Sequence, residues 1–388
     1  MSSTEIARTP SLSTWEKKSL ADLGLFLGIA FMRRRSIILV LVLSLYAPGC
    51  SLLRPSSSDV PLHLVIDAGS SGTRLCLFGI KYLEGQCSAV DLRSPYDRCS
   101  QFAETQGLAD MGDEKARQAV ENALSQIDGD TRDEIRAAVL LGTGGFRKLP
   151  KERQDAVLYR IRAAFDAHSL PVRLVVITGE QEGTLAWRTV SQNFSSRDHI
   201  ILETGGATVQ LAYGTVDAIK SASSPVGLNE AFVTLREEGN FSYCYHQKAA
   251  GRLYVDYDKC RRYVKARLFD GSAIQQLARG IDPKRKQQAI YAIGSSWQAT
   301  FSVLGSNELS LSDIMEQGRK LCKIDPDNLP DHGIAKKFAP RACFQFAYQA
   351  GLLEATGFQK IRNGFESWPK GAAISKEYFP DCEQRPAK

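Results

Sequence analysis

The 388-residue chain contains no Cys-x-x-Cys pair and no Cys/His cluster at zinc spacing, and its five histidines, His63, His168, His199, His246 and His332, are scattered. A zinc module is therefore disfavoured. A concentrated basic stripe is missing as well. The net charge of +6 falls to +3 once residues 1–50, with six basic and three acidic side chains, are set aside. The short basic runs at 259–267 and 284–286 are mixed with Asp and aromatics and read as solvated helical faces, so no nucleic-acid partner is expected. The apolar run at 37–45 falls short of the roughly 20 residues that a membrane-spanning helix needs. What is present is an ordinary globular composition, 43% hydrophobic and 24% charged, which excludes a mainly disordered or collagen-like chain. The length suffices for two lobes.

Residues 1–50 read as a leader. Met32 and three arginines, the apolar run and Ala47-Pro-Gly-Cys50 match the charged, apolar and small-residue regions of a signal peptide, with Met32 as the expected start and cleavage near Cys50. The alternative is a longer leader in which residues 20–31 form a further anchoring segment. Gly49-Cys50 partly matches a lipobox, which would lipidate Cys50 and attach the protein to a membrane; the same residues fit ordinary cleavage and free secretion. Residues 51–60 read as a tether. An exported, periplasmic, secreted or envelope-anchored monomer is the expectation.

The other eight cysteines form an even set suited to an oxidising compartment. Local pairing suggests Cys87 with Cys99, Cys244 with Cys260 and Cys322 with Cys343. That leaves Cys76 with Cys382, unless Cys76 is a buried thiol.

Strands at 62–66 and 75–80 flank a Gly/Ser turn at 67–73. A helix at 114–127, a strand at 137–141, a helix at 151–168, a strand at 172–177 and a helix at 181–192 follow. The opening pattern then recurs as strand 199–202, turn 203–207 and strand 208–213. Two similar units suggest two lobes facing across a cleft. In Asp67-Ala-Gly-Ser-Ser-Gly-Thr73-Arg74 the glycines let backbone amides approach an anion, the hydroxyls of Ser70, Ser71 and Thr73 can donate to phosphate, and Asp67 can hold a hydrated divalent ion. Glu203-Thr-Gly-Gly-Ala-Thr208 repeats that logic. Gly142-Thr-Gly-Gly-Phe-Arg147 and Gly179-Glu-Gln-Glu-Gly183 add two more glycine-rich strand ends.

These four motifs, with Thr178-Gly-Glu-Gln-Glu-Gly-Thr-Leu-Ala-Trp187 around Glu182, closely resemble the signature regions of the nucleoside triphosphate diphosphohydrolase, or apyrase, family. The resemblance spans residues 62 to about 370 and is weaker at Ile293-Gly-Ser-Ser-Trp297, Cys343-Phe-Gln-Phe-Ala-Tyr348 and Trp368-Pro-Lys-Gly371. It implies an α/β fold of two ribonuclease-H-like lobes of the actin-like superfamily, with residues 61–187 and the return 370–388 in lobe I and 188–369 in lobe II. It also implies hydrolysis of nucleoside tri- and diphosphates with Mg²⁺ or Ca²⁺. Glu182 matches the general base, Thr208 and Gln210 the pair orienting the water, and Asp67 and Glu203 the metal carboxylates. Ser70, Ser71, Gly72, Thr73 and Arg74, with Gly205, Gly206 and Ala207 and with Thr143 and Arg147, match the phosphate-binding turns. Trp297 and Tyr348 are the candidates to sandwich the base, with lobe packing as the alternative. Trp187 is expected in the core.

Some positions depart from the family pattern. Glu203 and Thr204 stand for Asp and an apolar residue, Thr208-Val209 for Ser-Thr, Gly144 for Ala and Ser191 for Asn. A polyphosphate or guanosine-pentaphosphate hydrolase of the same superfamily, and a catalytically weak nucleotide-binding surface lipoprotein, are the competing readings.

Overall fold

The structure is a computed structural model that describes residues 60–383 apart from short segments at 84–85, 91–98, 104–106, 194–197, 239–242, 245–247, 250–251, 254 and 366. The expected leader, the tether and the end of the chain lie outside the described residues.

The chain opens with an antiparallel meander of β1 (Leu62–Gly69), β2 (Gly72–Leu83) and β3 (Gln86–Val90), and β4 (Ser100–Ala103) returns to pair with β2. Helices α1 (Asp113–Ser125) and α2 (Gly129–Glu134) lead into β5 (Ile135–Gly142), which lies parallel to β1. A short α3 (Gly144–Arg147) and the long α4 (Lys151–Asp166) then lead to β6 (Val172–Val176), parallel to β5. The order of this first sheet is β3-β2-β1-β5-β6.

Helix α5 (Gly179–Asn193) leads into a second meander, β7 (His199–Thr204), β8 (Val209–Thr215) and β9 (Ala218–Ser224). There follow α6 (Leu228–Glu237), a small ribbon of β10 (Lys248–Ala249) and β11 (Arg252–Leu253), and helices α7 (Tyr257–Val264), α8 (Ala273–Arg279) and α9 (Pro283–Lys286). The parallel strand β12 (Ala289–Ile293) is followed by α10 (Ser295–Leu304), β13 (Glu308–Ser310), α11 (Leu311–Leu321), α12 (Ala342–Thr356), β14 (Lys360–Asn363) and α13 (Pro369–Ala373). Apart from the edge strand β13, the second order is β9-β8-β7-β12-β14, the same sequence of antiparallel and parallel neighbours as the first. The internal repeat is thus a repeat of topology, and the fold is α/β with two actin-like lobes.

Alternation along the strands sets the layers, because successive side chains leave opposite faces. From β1, Leu62, Leu64 and Ile66 pack outward on Val120 and Leu124 of α1 and Ile161 and Phe165 of α4. Val65 points the other way, into a central layer with Trp187 and Val190 of α5, Ala372 and Ala373 of α13, and Ile201 and Ala212 from the second sheet. From β7, Ile200 and Leu202 face a third cluster with Phe344, Phe346 and Tyr348 of α12. Trp187 is fully buried and donates its indole N–H to the His199 carbonyl at 3.0 Å, the core role expected of it.

Two of the four expected disulfides are corrected. Cys244–Cys260 and Cys322–Cys343 form as local pairs, but Cys76 bonds Cys99 and Cys87 bonds Cys382. Pairing of Leu75 with Ser100 across β2 and β4 brings Cys76 beside Cys99, which local sequence distance does not reveal. Cys87 on β3 is left to reach the C-terminal turn at Pro380–Glu383. Among the described residues no helix is long and apolar enough to cross a membrane.

Candidate functional site

The two hairpin turns meet. Strand β1 ends at Gly69 opposite Gly72, so Ser70 and Ser71 form a tight tip. They come up against Gly206 of the β7–β8 turn, where a Cβ would lie 3.0 Å from Ser70 Oγ. The second turn is braced by α6: the amides of Leu228 and Asn229 donate to the carbonyls of Gly205 and Gly206 at 3.0 and 2.9 Å. Around these tips lies a cavity of about 550 Å³. Asp67, Ser70, Ser71, Gly72, Arg74 and Thr143 line it from one side, and Glu203, Gly205, Gly206, Ala207 and Thr208 from the other, with Glu182 between.

Glu182 reaches the cavity because α5 begins where it does. The Thr178 hydroxyl accepts the Gln181 amide at 3.2 Å, and Gln181 Oε1 accepts the Thr178 amide at 2.8 Å, a reciprocal cap that fixes the first turn. The carboxylate is then held from behind. Its Oε2 accepts from Arg147 Nη2 at 3.1 Å and from Gln210 Nε2 at 3.2 Å. The same two donors reach Thr208 Oγ1, at 3.1 and 2.8 Å. Two donors on one hydroxyl oxygen leave its own hydrogen to be donated elsewhere.

Three buried carboxylates therefore share one site. Burial, which penalises the charged form, pushes Glu182 up to about 7; Arg147 opposes the rise and the charge of Asp67 adds to it. Glu203 is raised well above the usual carboxylate range by burial and then by Glu182 and Asp67. Asp67 is raised by burial against the pull of Arg74, whose Nη1 donates to Asp67 Oδ2 at 2.6 Å. Glu203 Oε2 and Thr73 Oγ1 are buried without a hydrogen-bond partner. An oxygen-only set with an orphaned carboxylate oxygen fits a hard divalent cation. Among the described residues no three His, Cys, Asp or Glu side chains cluster closely enough to cage a metal.

Several sequence-derived positions move. Arg147, expected on phosphate, does not line the cavity; it stands behind Glu182, with Nη1 donating to the Ile177 carbonyl at 2.8 Å. Gln210 likewise backs the carboxylate, and Thr73 lies buried beneath the turn. Trp297 and Tyr348, expected at the base, line no part of the cavity and are fully buried. The Trp297 indole donates to Thr204 Oγ1 at 3.0 Å, and the Tyr348 hydroxyl donates to the Val226 carbonyl at 2.7 Å. Both are core rings with their polar ends satisfied, so lobe packing is the reading that holds.

The Gly144 departure has a steric cause: a Cβ there would lie 2.6 Å from the Ala207 Cβ, so the missing methyl makes room for the second turn. Thr204, polar where the family is apolar, is the acceptor for Trp297. Sequence reasoning assigned no role to Ser295, Gln298, Phe365 and Lys370, which also line the cavity. The weak motifs at 293–297 and 368–371 flank or include all of them except Phe365, for which the sequence carried no signal.

Residues 55–247 match the model of the GDA1/CD39 (nucleoside phosphatase) family. A nucleoside-triphosphatase of Caenorhabditis elegans is 27% identical over 175 residues, 41% of this chain and 32% of that protein. A probable apyrase of Arabidopsis thaliana is 28% identical over 218 residues, 50% of this chain and 42% of that protein. The matched region is thus less than half the length of these curated relatives. Among solved structures, a Ppx/GppA family protein of Aquifex aeolicus superposes with a TM-score of 0.57 at 16% identity, covering 83% of this chain and 99% of its own. An exopolyphosphatase of Cytophaga hutchinsonii gives 0.54 at 15% identity, over 80% and 96%. These likenesses concern the fold.

Proposed function

We propose, for a chain whose residues 55–247 match the model of the GDA1/CD39 (nucleoside phosphatase) family, that the protein hydrolyses the terminal phosphate of nucleoside tri- and diphosphates with a divalent metal. The observation that carries this reading is the pair of glycine turns meeting across one cavity, with Glu182 beside them. The working division puts residues 61–187 and 370–388 in lobe I and 188–369 in lobe II. Its boundary falls inside α5, which belongs to the layer between the two sheets.

In this reading the backbone amides and hydroxyls of Ser70, Ser71, Gly72 and Thr143 hold the terminal phosphate from one side and those of Gly205 to Ala207 from the other. Arg74 neutralises Asp67 and adds positive charge at the rim. Asp67 and Glu203 would hold Mg²⁺ or Ca²⁺, which when bound offsets the charge of the phosphate oxygens. Because Glu182 Oε2 is occupied by Arg147 and Gln210, Oε1 is the oxygen left to take a proton from water. The Thr208 hydroxyl, already accepting twice, donates its hydrogen into the cavity and fixes that water. The water oxygen then bonds to phosphorus, the bond to the bridging oxygen breaks, and Glu182 keeps the proton. A base poised near neutrality suits this task.

Export to an oxidising compartment is part of the proposal, supported by four disulfides among the described residues. A monomeric form, tethered or free according to the fate of Cys50, goes with it. The test is phosphate release from nucleoside tri- and diphosphates and from inorganic tripolyphosphate, with and without EDTA. Nucleotide turnover abolished by EDTA is expected; release from tripolyphosphate alone would favour the exopolyphosphatase-like reading, and no release would favour the catalytically weak lipoprotein.

A further inference from the structure

With Trp297 and Tyr348 buried, the nucleoside end of the cavity needs another contact. Among the described residues, two other than glycine have positive φ, Ser169 at 52° and Phe365 at 55°. Ser169 is explained by its place just past α4, where the Leu170 amide closes onto the Phe165 carbonyl at 3.1 Å in a left-handed helix stop. Phe365 ends no helix. A bulky side chain in that region is strained, and such strain persists only where the surroundings over-determine it, which happens most often at ligand sites.

The surroundings do fix it. The Gly364 amide donates to the Ala292 carbonyl at 3.0 Å, the Phe365 amide to Asn363 Oδ1 at 2.9 Å, and Gln298 Nε2 to the Phe365 carbonyl at 3.4 Å. Phe365 nonetheless remains 60% exposed, on the cavity wall. Its position suits a long ligand. Glu203 pairs with Ile293 and Ala292 pairs with Asn363, so the lip bearing Phe365 lies two strands across from Glu203, about 10 Å at the usual strand spacing. That is comparable to the reach from a terminal phosphate to the base. The other aromatic residues lining the cavity among those described, Phe78 and Trp368, are buried and offer no open face opposite.

We infer that Phe365 is the platform on which the nucleobase stacks, by one face only, so that the site accepts purine and pyrimidine nucleotides alike. The inference rests on the nucleotide reading above. Stacking on one ring is tolerant because every base has a π-face.

The test compares wild type, Phe365→Gly and Phe365→Tyr with ATP, UTP and tripolyphosphate. Phe365→Gly should raise KM for both nucleotides and lower the ratio of nucleotide to tripolyphosphate kcat/KM about tenfold, while Phe365→Tyr holds that ratio within about twofold. The melting temperature of Phe365→Gly should match or exceed wild type, because glycine accepts this φ without strain. A purely structural role would lower the melting temperature and depress all three substrates together. An unchanged ratio in a wild type that cleaves nucleotides overturns the inference alone. A wild-type preference between ATP and UTP above about tenfold overturns the one-faced, base-tolerant site. Cleavage of tripolyphosphate but no nucleotide overturns the nucleotide reading and this inference together.

Discussion

Replacing Arg147 with methionine keeps an unbranched stem and removes the cation bonded to Glu182. Three contacts go: Nη2 to Glu182 Oε2 and to Thr208 Oγ1, both at 3.1 Å, and Nη1 to the Ile177 carbonyl at 2.8 Å. Burial drives Glu182 up to about 7, and Arg147 is the largest influence holding it down. An opposite charge at this range lowers a carboxylate by roughly one to three pH units, so its loss should move the base upward by a comparable amount. A general base works deprotonated, so activity rises as pH climbs through its pKa and the variant's rise is displaced to alkaline pH. Below the pKa of the base, each unit of rise cuts its ionised fraction about tenfold, so kcat at pH 7 should fall about tenfold or more. Much of that loss should return as the pH is raised. The assay is kcat against pH at saturating nucleotide and fixed divalent ion, with Arg147→Lys expected to fall between the two. A uniform loss with no movement of the acid limb would refute the assignment of that limb to Glu182.

Glu203→Gln should raise the divalent-ion concentration needed for half-maximal rate, whereas Glu180→Gln, two positions from Glu182 and outside the cavity, should change it little; a metal titration of both variants checks this. Cys87–Cys382 closes the longest loop, with a separation of 295 residues, so Cys87→Ser should cost roughly 3 to 5 kcal/mol in urea unfolding. Peptide mapping without reduction should recover that bridge and Cys76–Cys99. His63 is buried against Phe379 with Nδ1–H on the Ala373 carbonyl, and burial lowers its pKa despite Asp381. A depressed folded pKa means that its stabilising contribution is complete above about pH 6.5 and is lost as pH falls through the folded value. Wild type should therefore lose more stability between about pH 7.5 and 5 than His63→Asn does, and equal losses would contradict the assignment.

The framework was legible in the sequence where local chemistry decided it. The hairpins at 62–80 and 199–213 announced themselves by alternating apolar residues around glycine turns. The strands proved longer than expected, leaving only Ser70-Ser71 as the first tip, because pairing to β2 carries β1 through Asp67 to Gly69. Helix α1 showed its apolar face through Ala116, Val120 and Leu124. Helix α12 is buried nearly all round, so no amphipathic stripe told a base contact from core packing, and the sequence left Tyr348 open between the two.

The carboxylates of the candidate site could be named because each sits in a glycine-containing motif near a strand or helix end. What spacing could not show is which partner stands behind which: Arg147 follows a phosphate-like motif, yet it donates to the Ile177 carbonyl ahead of α5 and to Glu182. Cys76 and Cys99 met through the β2–β4 register, and Phe365 owes its place to a backbone conformation that no composition encodes.

The proposed hydrolysis turns on Glu182 removing the proton from the attacking water. Glu182→Gln preserves size and the capacity to hydrogen-bond Arg147's neighbourhood while removing the proton acceptor. Steady-state turnover of ATP by this variant should fall about 10²- to 10⁴-fold at pH 7.5, with nucleotide binding retained. Turnover above about a tenth of wild type would contradict the assignment of the base.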